Sequence, residues 1–154
     1  MEKLFLWTLA ISLLAAPAAA APVPAGKWEM REIRDSNGAI SHCVADHAYD
    51  NAMHINFALD HSGRMNIGII VPNAEFGAGE KYSLRLLLPD GTSRISSAEA
   101  RMDQMLLVED GIDAEFRSRL KTSAYMIVLG VRDKIIFPLP DSGNMLRELA
   151  ACAR

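Results

Sequence analysis

The four histidines are the residues whose type and spacing come closest to a chemical site. His42, His47, His54 and His61 all fall within one short stretch of the chain. Neutral imidazole is a good ligand for zinc and copper, so an exported Cu- or Zn-binding protein is one hypothesis. However, no two of these histidines form the H-x-H or H-x-x-x-H pair that places both ligands on one face of an element. We therefore expect four surface histidines in a hairpin region and no metal site.

A group of carboxylates around Gly111 is the second candidate. Glu109, Asp110 and Asp113 are close enough in sequence to suggest paired acids, which carry out glycoside hydrolysis when they are held at the right separation. Their place just before a helical pattern instead predicts that they solvate a turn and cap the helix. The chain also has no G-x-S-x-G, P-loop, H-E-x-x-H or G-x-G-x-x-G motif in the required context. We predict that the protein is not an enzyme and uses no cofactor.

Phe76 is the candidate partner-binding residue. It lies in a loop over residues 73–80 and is flanked by Gly77 and Gly79. An aromatic side chain exposed on a loop can anchor a partner. It can equally fold back and close the end of a β structure, as isolated apolar loop residues often do. Both interpretations stay open from the sequence.

The elements that must position these residues are mostly short strands. Apolar and polar residues alternate in 53–60, 65–71 and 82–88, and turn residues such as Asn37-Gly38 separate such segments. A first hairpin is predicted from strands over 28–34 and 39–45. The pattern predicts a mainly β fold, an antiparallel sandwich or barrel-like sheet of about eight short strands.

Two helices complete the predicted fold. Ile112, Phe116 and Leu120 have the spacing of one face of a short internal helix. Asp141 or Ser142 is suited to cap a C-terminal helix.

The N-terminus has the layout of a secretory signal peptide. Lys3 precedes an apolar run, and small residues follow, which predicts cleavage near Ala20 or Ala21. The predicted organisation is a signal peptide over residues 1–21, a linker over 22–27 and a single β-rich domain over 28–154. Such a protein would be periplasmic or secreted in a bacterium, with no membrane span after cleavage.

Cys43 and Cys152 are the only cysteines, and both follow the predicted signal peptide. An even pair in an oxidising compartment is usually bonded, so we predict a Cys43–Cys152 disulfide. No C-x-x-C pair exists, which leaves a thioredoxin-type redox role without support.

Composition limits the function classes further. The 154 residues carry a net charge of -3 and no basic stripe, so nucleic acid is not an expected partner. The leading hypothesis is an exported, non-enzymatic binding or accessory protein with a protein or small-molecule partner. The alternatives are the metal-binding protein above and a periplasmic enzyme-inhibitor or immunity-type protein.

The order of short motifs resembles a known family. Trp28 precedes Cys43, Leu88-Pro89-Asp90-Gly91 lies between strands, and the segment 136–149 ends in a short apolar helix before Cys152. This layout resembles small exported Gram-negative proteins of the invasion-associated locus B family. The resemblance implies a periplasmic β-rich protein without known catalysis, and it suggests a link to host interaction. It carries over no functional residue.

Overall fold

The computed structural model describes residues 21–109, 112–130 and 133–154. The predicted signal peptide, apart from Ala21, lies outside these residues.

Within the described residues, nine strands form a single antiparallel sheet that curls into a half-barrel. The predicted mainly β fold with an internal and a C-terminal helix is confirmed, in the barrel-like form. The strands are β1 (Pro24–Arg34), β2 (Ile40–Tyr49), β3 (His54–Asp60), β4 (Met65–Ile70), β5 (Lys81–Leu87), β6 (Ser93–Met102), β7 (Met105–Val108), β8 (Tyr125–Leu129) and β9 (Lys134–Pro138). The helices are α1 (Ala114–Leu120) and α2 (Ser142–Cys152).

The strand order across the sheet is β1-β2-β3-β4-β7-β6-β5-β8-β9. Apolar residues alternate along the strands, so one face of the sheet is apolar. A single sheet buries that face by curling around it. In β3, for example, Ile55, Phe57 and Leu59 are buried on the concave face. The chain leaves β4 through a long loop before it enters β5, and this loop crosses one end of the half-barrel.

The first strand begins earlier than the sequence predicted. The expected linker over 22–27 is largely part of β1, where Pro24 pairs with Tyr49. An edge strand tolerates proline because its outer N–H groups need no partner. Gly26 has φ of 84°, and the register shifts between Ala25 and Glu29. Pro22, Pro24 and Gly26 gave this segment the composition of a linker, although most of it pairs as a strand.

The two helices differ in how well the sequence anticipated their ends. The Asp113 side chain accepts a hydrogen bond from the Phe116 N–H, as predicted for the cap of α1. The capping prediction for α2 is wrong. Asp141 has a left-handed backbone with φ of 53° and makes no side-chain cap hydrogen bond. Ser142 is buried, and its Oγ lies 3.0 Å from the Leu120 carbonyl oxygen, so it joins α2 to the end of α1.

The predicted Cys43–Cys152 disulfide is confirmed. Its Cα atoms are 6.1 Å apart, and it connects the concave face of β2 to the last residue of α2. The disulfide therefore fixes the C-terminal helix against the first hairpin.

Neither helix in the described part of the chain is long and apolar enough to cross a membrane.

Candidate functional site

An apolar cleft opens at one end of the half-barrel. It has a volume of about 680 Å³ and lies where β4 and β8 end and where β5, β7 and β9 begin. Its main walls are Met53, Ile69, Leu84, Leu106, Val128 and Ile135.

The cleft is a continuation of the hydrophobic core to the surface. Ile69, Leu84, Leu106 and Val128 belong to the buried core set and come from four different strands. The strand period places these side chains on the concave face, and the partly buried Val71, Phe76 and Ile135 extend this apolar surface to the solvent. Such a surface can hold an apolar group.

Phe76 forms part of the cleft wall. Its N–H donates to the Asp103 carbonyl oxygen at 2.8 Å, which holds the loop over the end of the sheet. The Phe76 ring packs edge-on against Tyr82, with ring centroids 5.5 Å apart. The Tyr82 hydroxyl in turn accepts from the Gly77 N–H at 3.0 Å. The ring is therefore half-buried against the core and lines the cleft, rather than projecting freely from the loop.

The rim of the cleft carries the polar groups that a ligand would meet. Glu75, Asp133 and Lys134 line the opening together with Asn73. Asn73 has φ of 60°, a conformation that asparagine adopts more readily than most residues, and it turns the chain after β4. A mostly apolar interior with a few charged groups at the rim is typical of small-molecule sites.

The four histidines do not come together. His42 and His54 lie on the outer face of the sheet, and His61 lies in the turn after β3, as expected. The expectation of four surface histidines is wrong for His47, which is fully buried on the concave face. Over residues 21–109, 112–130 and 133–154, no group of three or more His, Cys, Asp or Glu side chains is placed to hold a metal ion.

The outer-face histidines have local partners. His54 Nδ1 lies 3.1 Å from an Asp46 carboxylate oxygen across the β2–β3 pair. His42 Nδ1 lies 3.2 Å from the Ser41 hydroxyl. His42 and His61 also line a groove of about 770 Å³ on this face, which has both polar and apolar walls. The nearby Asp60 carboxylate accepts from Ser62 and Arg64, and the Ser62 hydrogen bond is the main reason that the pKa of Asp60 is lowered.

The carboxylates near α1 have structural roles. Arg94 contacts both Asp113 and Glu115, with the Arg94 Nε atom 2.9 Å from Asp113 Oδ2. This contact, followed by the Phe116 N–H, lowers the pKa of Asp113, which is the wrong direction for a general acid. Glu109 pairs with Arg101 at 3.2 Å. Asp110, the third predicted member, lies outside the described residues.

Sequence reasoning missed an aromatic cluster formed by Trp28, His47 and Tyr49. The Trp28 and His47 rings stack with centroids 4.8 Å apart, and the Tyr49 ring packs edge-on against His47 at 5.1 Å. The Trp28 Nε1–H donates to the Pro140 carbonyl at 2.6 Å, and the Tyr49 hydroxyl donates to the Pro138 carbonyl at 2.6 Å. The alternation of Cys43, Ala45, His47 and Tyr49 was the available signal, because it continues β2 beyond the predicted end at residue 45.

Comparison of the chain with protein-family models, with curated proteins and with solved structures finds no match. The resemblance to the invasion-associated locus B family stays a prediction.

Proposed function

We propose that this chain is an exported, non-enzymatic binding protein that holds a small apolar molecule in the cleft. The observation that carries the proposal is the cleft of about 680 Å³ lined by core side chains at the open end of the half-barrel. Its volume falls within the range of about 300–1,000 Å³ that is usual for small-molecule sites.

Burial of apolar surface supplies the binding free energy. Each Å² of apolar surface that a ligand and the walls remove from water contributes about 25 cal/mol. Leu84, Leu106 and Val128 already have fixed positions in the sheet, so a ligand would order few protein groups on binding. Phe76 closes one side of the site from the loop.

Export is supported by the disulfide, because such bonds persist in oxidising compartments. The signal-like pattern at the N-terminus points to the same compartment. Edman sequencing of the fractionated protein is expected to give a mature N-terminus near Ala21 or Pro22. Intact Met1 in cytoplasmic material would contradict export.

A ligand-binding experiment with a cleft-filling variant tests the site. The probe is N-phenyl-1-naphthylamine, a neutral apolar fluorophore, titrated into the oxidised protein. Gly130 lines the cleft, and a Cβ built there would meet its nearest neighbours, the Asp133 carbonyl oxygen and Leu84 Cδ2, only at 3.8 and 3.9 Å. Gly130→Leu can therefore fill the cleft, and we expect it to weaken binding by at least about tenfold, equivalent to about 1.4 kcal/mol.

Two further variants locate the binding. Phe76→Ala is expected to weaken binding because it removes one wall of the cleft. Ile95→Ala removes an exposed apolar side chain from β6, outside the cleft, and is expected to leave binding unchanged. The proposal fails if the wild-type protein shows no saturable binding, or if Gly130→Leu binds the probe as tightly as the wild type.

A further inference from the structure

His47 is a buried titratable side chain without a hydrogen-bond partner in the described structure. The residue is fully buried, and neither Nδ1 nor Nε2 has a partner of normal geometry among the described residues. A neutral imidazole brings one donor and one acceptor, and the contact of the ring with the Lys27 carbonyl falls outside normal hydrogen-bond geometry. Protonation would add a full charge in the same place, which costs much more than burial of the neutral ring.

The rings that enclose His47 also join the two edges of the sheet. Trp28 and Tyr49 belong to β1 and β2 at one edge, and they donate to carbonyls at and just after the end of β9 at the other edge. Tyr49 additionally packs against Phe137 of β9, with ring centroids 5.6 Å apart. A displacement of His47 that moves these rings would break the connection.

We propose that His47 is an acid-sensitive switch: protonation of its ring displaces Trp28 and Tyr49 and releases the hydrogen bonds that join the two edges of the half-barrel. The Cys43–Cys152 disulfide keeps α2 attached to β2 while this happens. The opening is therefore local and reversible.

The groups around His47 shift its pKa in opposite directions, and burial has the largest effect. Burial lowers the pKa of His47. The Lys27 carbonyl of β1 and the Asp46 carboxylate of β2 favour the protonated ring, whereas His54 of β3 disfavours it. The Tyr49 phenol is neutral between pH 4.5 and pH 8, because the ordinary pKa of tyrosine is about 10, and burial raises it further.

The C-terminal helix brings no charge into the cluster. Its charged residues Arg147 and Glu148 are exposed, as is Arg154 after its end. Asp141, which follows Pro140, is exposed as well. None of these side chains is positioned to neutralise a buried imidazolium.

The direction of the pH effect follows from the lowered pKa. A histidine in the unfolded or opened chain has a pKa of about 6.5. The closed state binds fewer protons than the open state below that pH, so the cluster loses stability as the pH falls from about 6.5 towards the pKa of the closed state. The open population grows by up to about tenfold per pH unit over this window. Well above pH 6.5, protonation no longer favours the open state.

Hydrogen exchange and ring titration on the oxidised full domain test the switch between pH 8 and pH 4.5. We expect protection of the Trp28 indole N–H, corrected for intrinsic exchange, to fall by up to about tenfold per pH unit below 6.5. The Val108 amide, in the middle strand β7 and equally far from both edges in the sheet order, should keep its protection. The NMR signals of the His47 ring should titrate over the same range as the loss of protection.

Matched variants distinguish the protonation of His47 from other effects of low pH on the protein. His47→Phe keeps an aromatic ring that cannot be protonated. His47→Gln is the second variant, for use if His47→Phe does not fold. Either variant should abolish the loss of Trp28 protection at low pH. His61→Gln changes an exposed histidine of the turn after β3 and should retain it. The proposal is overturned if the variants at position 47 keep the wild-type pH profile. It is also overturned if wild-type Trp28 stays protected down to pH 4.5.

Discussion

Ser96 carries a hydroxyl group whose burial the fold does not compensate. The residue is buried on β6, and its Oγ has no hydrogen-bond partner within the described chain. Removal of an unsatisfied buried polar atom is neutral or favourable, because no hydrogen bond is lost. We expect Ser96→Ala to leave the free energy of unfolding unchanged or to raise it by up to about 1 kcal/mol in urea titrations.

The adjacent Ser97 gives the control for this prediction. It is exposed on the opposite face of β6, so Ser97→Ala should change stability by no more than about 0.5 kcal/mol. A loss above about 1 kcal/mol in Ser96→Ala would show that the Ser96 hydroxyl has a partner in solution.

Residue types and local alternation predicted some side-chain positions and not others. His54 was expected to face outward, and it does, because the alternation of β3 is unbroken. His47 was misplaced because the second strand was predicted to end at residue 45, whereas pairing with β3 and β1 extends it to Tyr49. The alternation from Cys43 to Tyr49 carried the signal, but a polar residue at position 47 of this face made the strand harder to recognise.

The cleft itself was not predictable, although Phe76 was singled out. Ile69 and Leu106 face one another because β4 pairs with β7 and not with β5. Val128 joins the same wall because β8 pairs with β5. Local patterns predict strands, but strand order depends on which long-range pairings bury the most apolar surface.

At the scale of elements, the start of α2 depends on a close approach to the segment after α1. A Cβ built at Gly143 would lie 2.9 Å from the Lys121 carbonyl oxygen, which is backbone and cannot rotate away. Gly143→Ala must therefore displace the first turn of α2. We expect a loss of about 1–3 kcal/mol in the free energy of unfolding, as for other overpacked contacts.

Gly130→Ala is the matched control for Gly143→Ala. The neighbours of its Cβ would be no closer than 3.8 Å, which is ordinary van der Waals contact. Thermal unfolding should therefore show a lower Tm for Gly143→Ala and little change for Gly130→Ala. Equal Tm values for the two variants would mean that the contact at Lys121 relaxes freely.

The elements show where sequence patterns succeed. The bounds of β3, β4 and β5 were predicted to within one residue, because their buried faces repeat regularly. The start of β1 and the cap of α2 were not, since Pro24, Gly26 and Ser142 owe their roles to contacts with distant segments. Ser142 has the chemistry of a cap, but it is the first residue of α2 and not the residue before it, and its hydroxyl donates to the Leu120 carbonyl.

At the scale of the whole molecule, stability depends on one long-range covalent bond, the Cys43–Cys152 disulfide. The disulfide joins residues separated by 109 positions. We expect Cys43→Ser or Cys152→Ser to lower the free energy of unfolding by about 2–5 kcal/mol, because a long loop of the unfolded chain is no longer constrained.

The β fold should survive without the disulfide. Ile55, Leu86 and Met126 stay buried in the sheet, so far-ultraviolet circular dichroism of the reduced protein should remain that of a β protein. Mass spectrometry under non-reducing conditions checks the bond itself. Two alkylatable thiols in exported material would show that the disulfide does not form.

The same disulfide determines how the molecule responds to mechanical force. Tension applied at Ala21 and Arg154 passes along the chain to Cys43 and then directly across the sulfur bridge to Cys152. Only β1 and the beginning of β2 bear the load, and β3 through β9 lie in a loop that carries none. In a single-molecule pulling experiment, the oxidised protein should extend by roughly the length of residues 21–42. Reduction should add the contour length of the 109-residue separation at about 3.3–3.6 Å per residue.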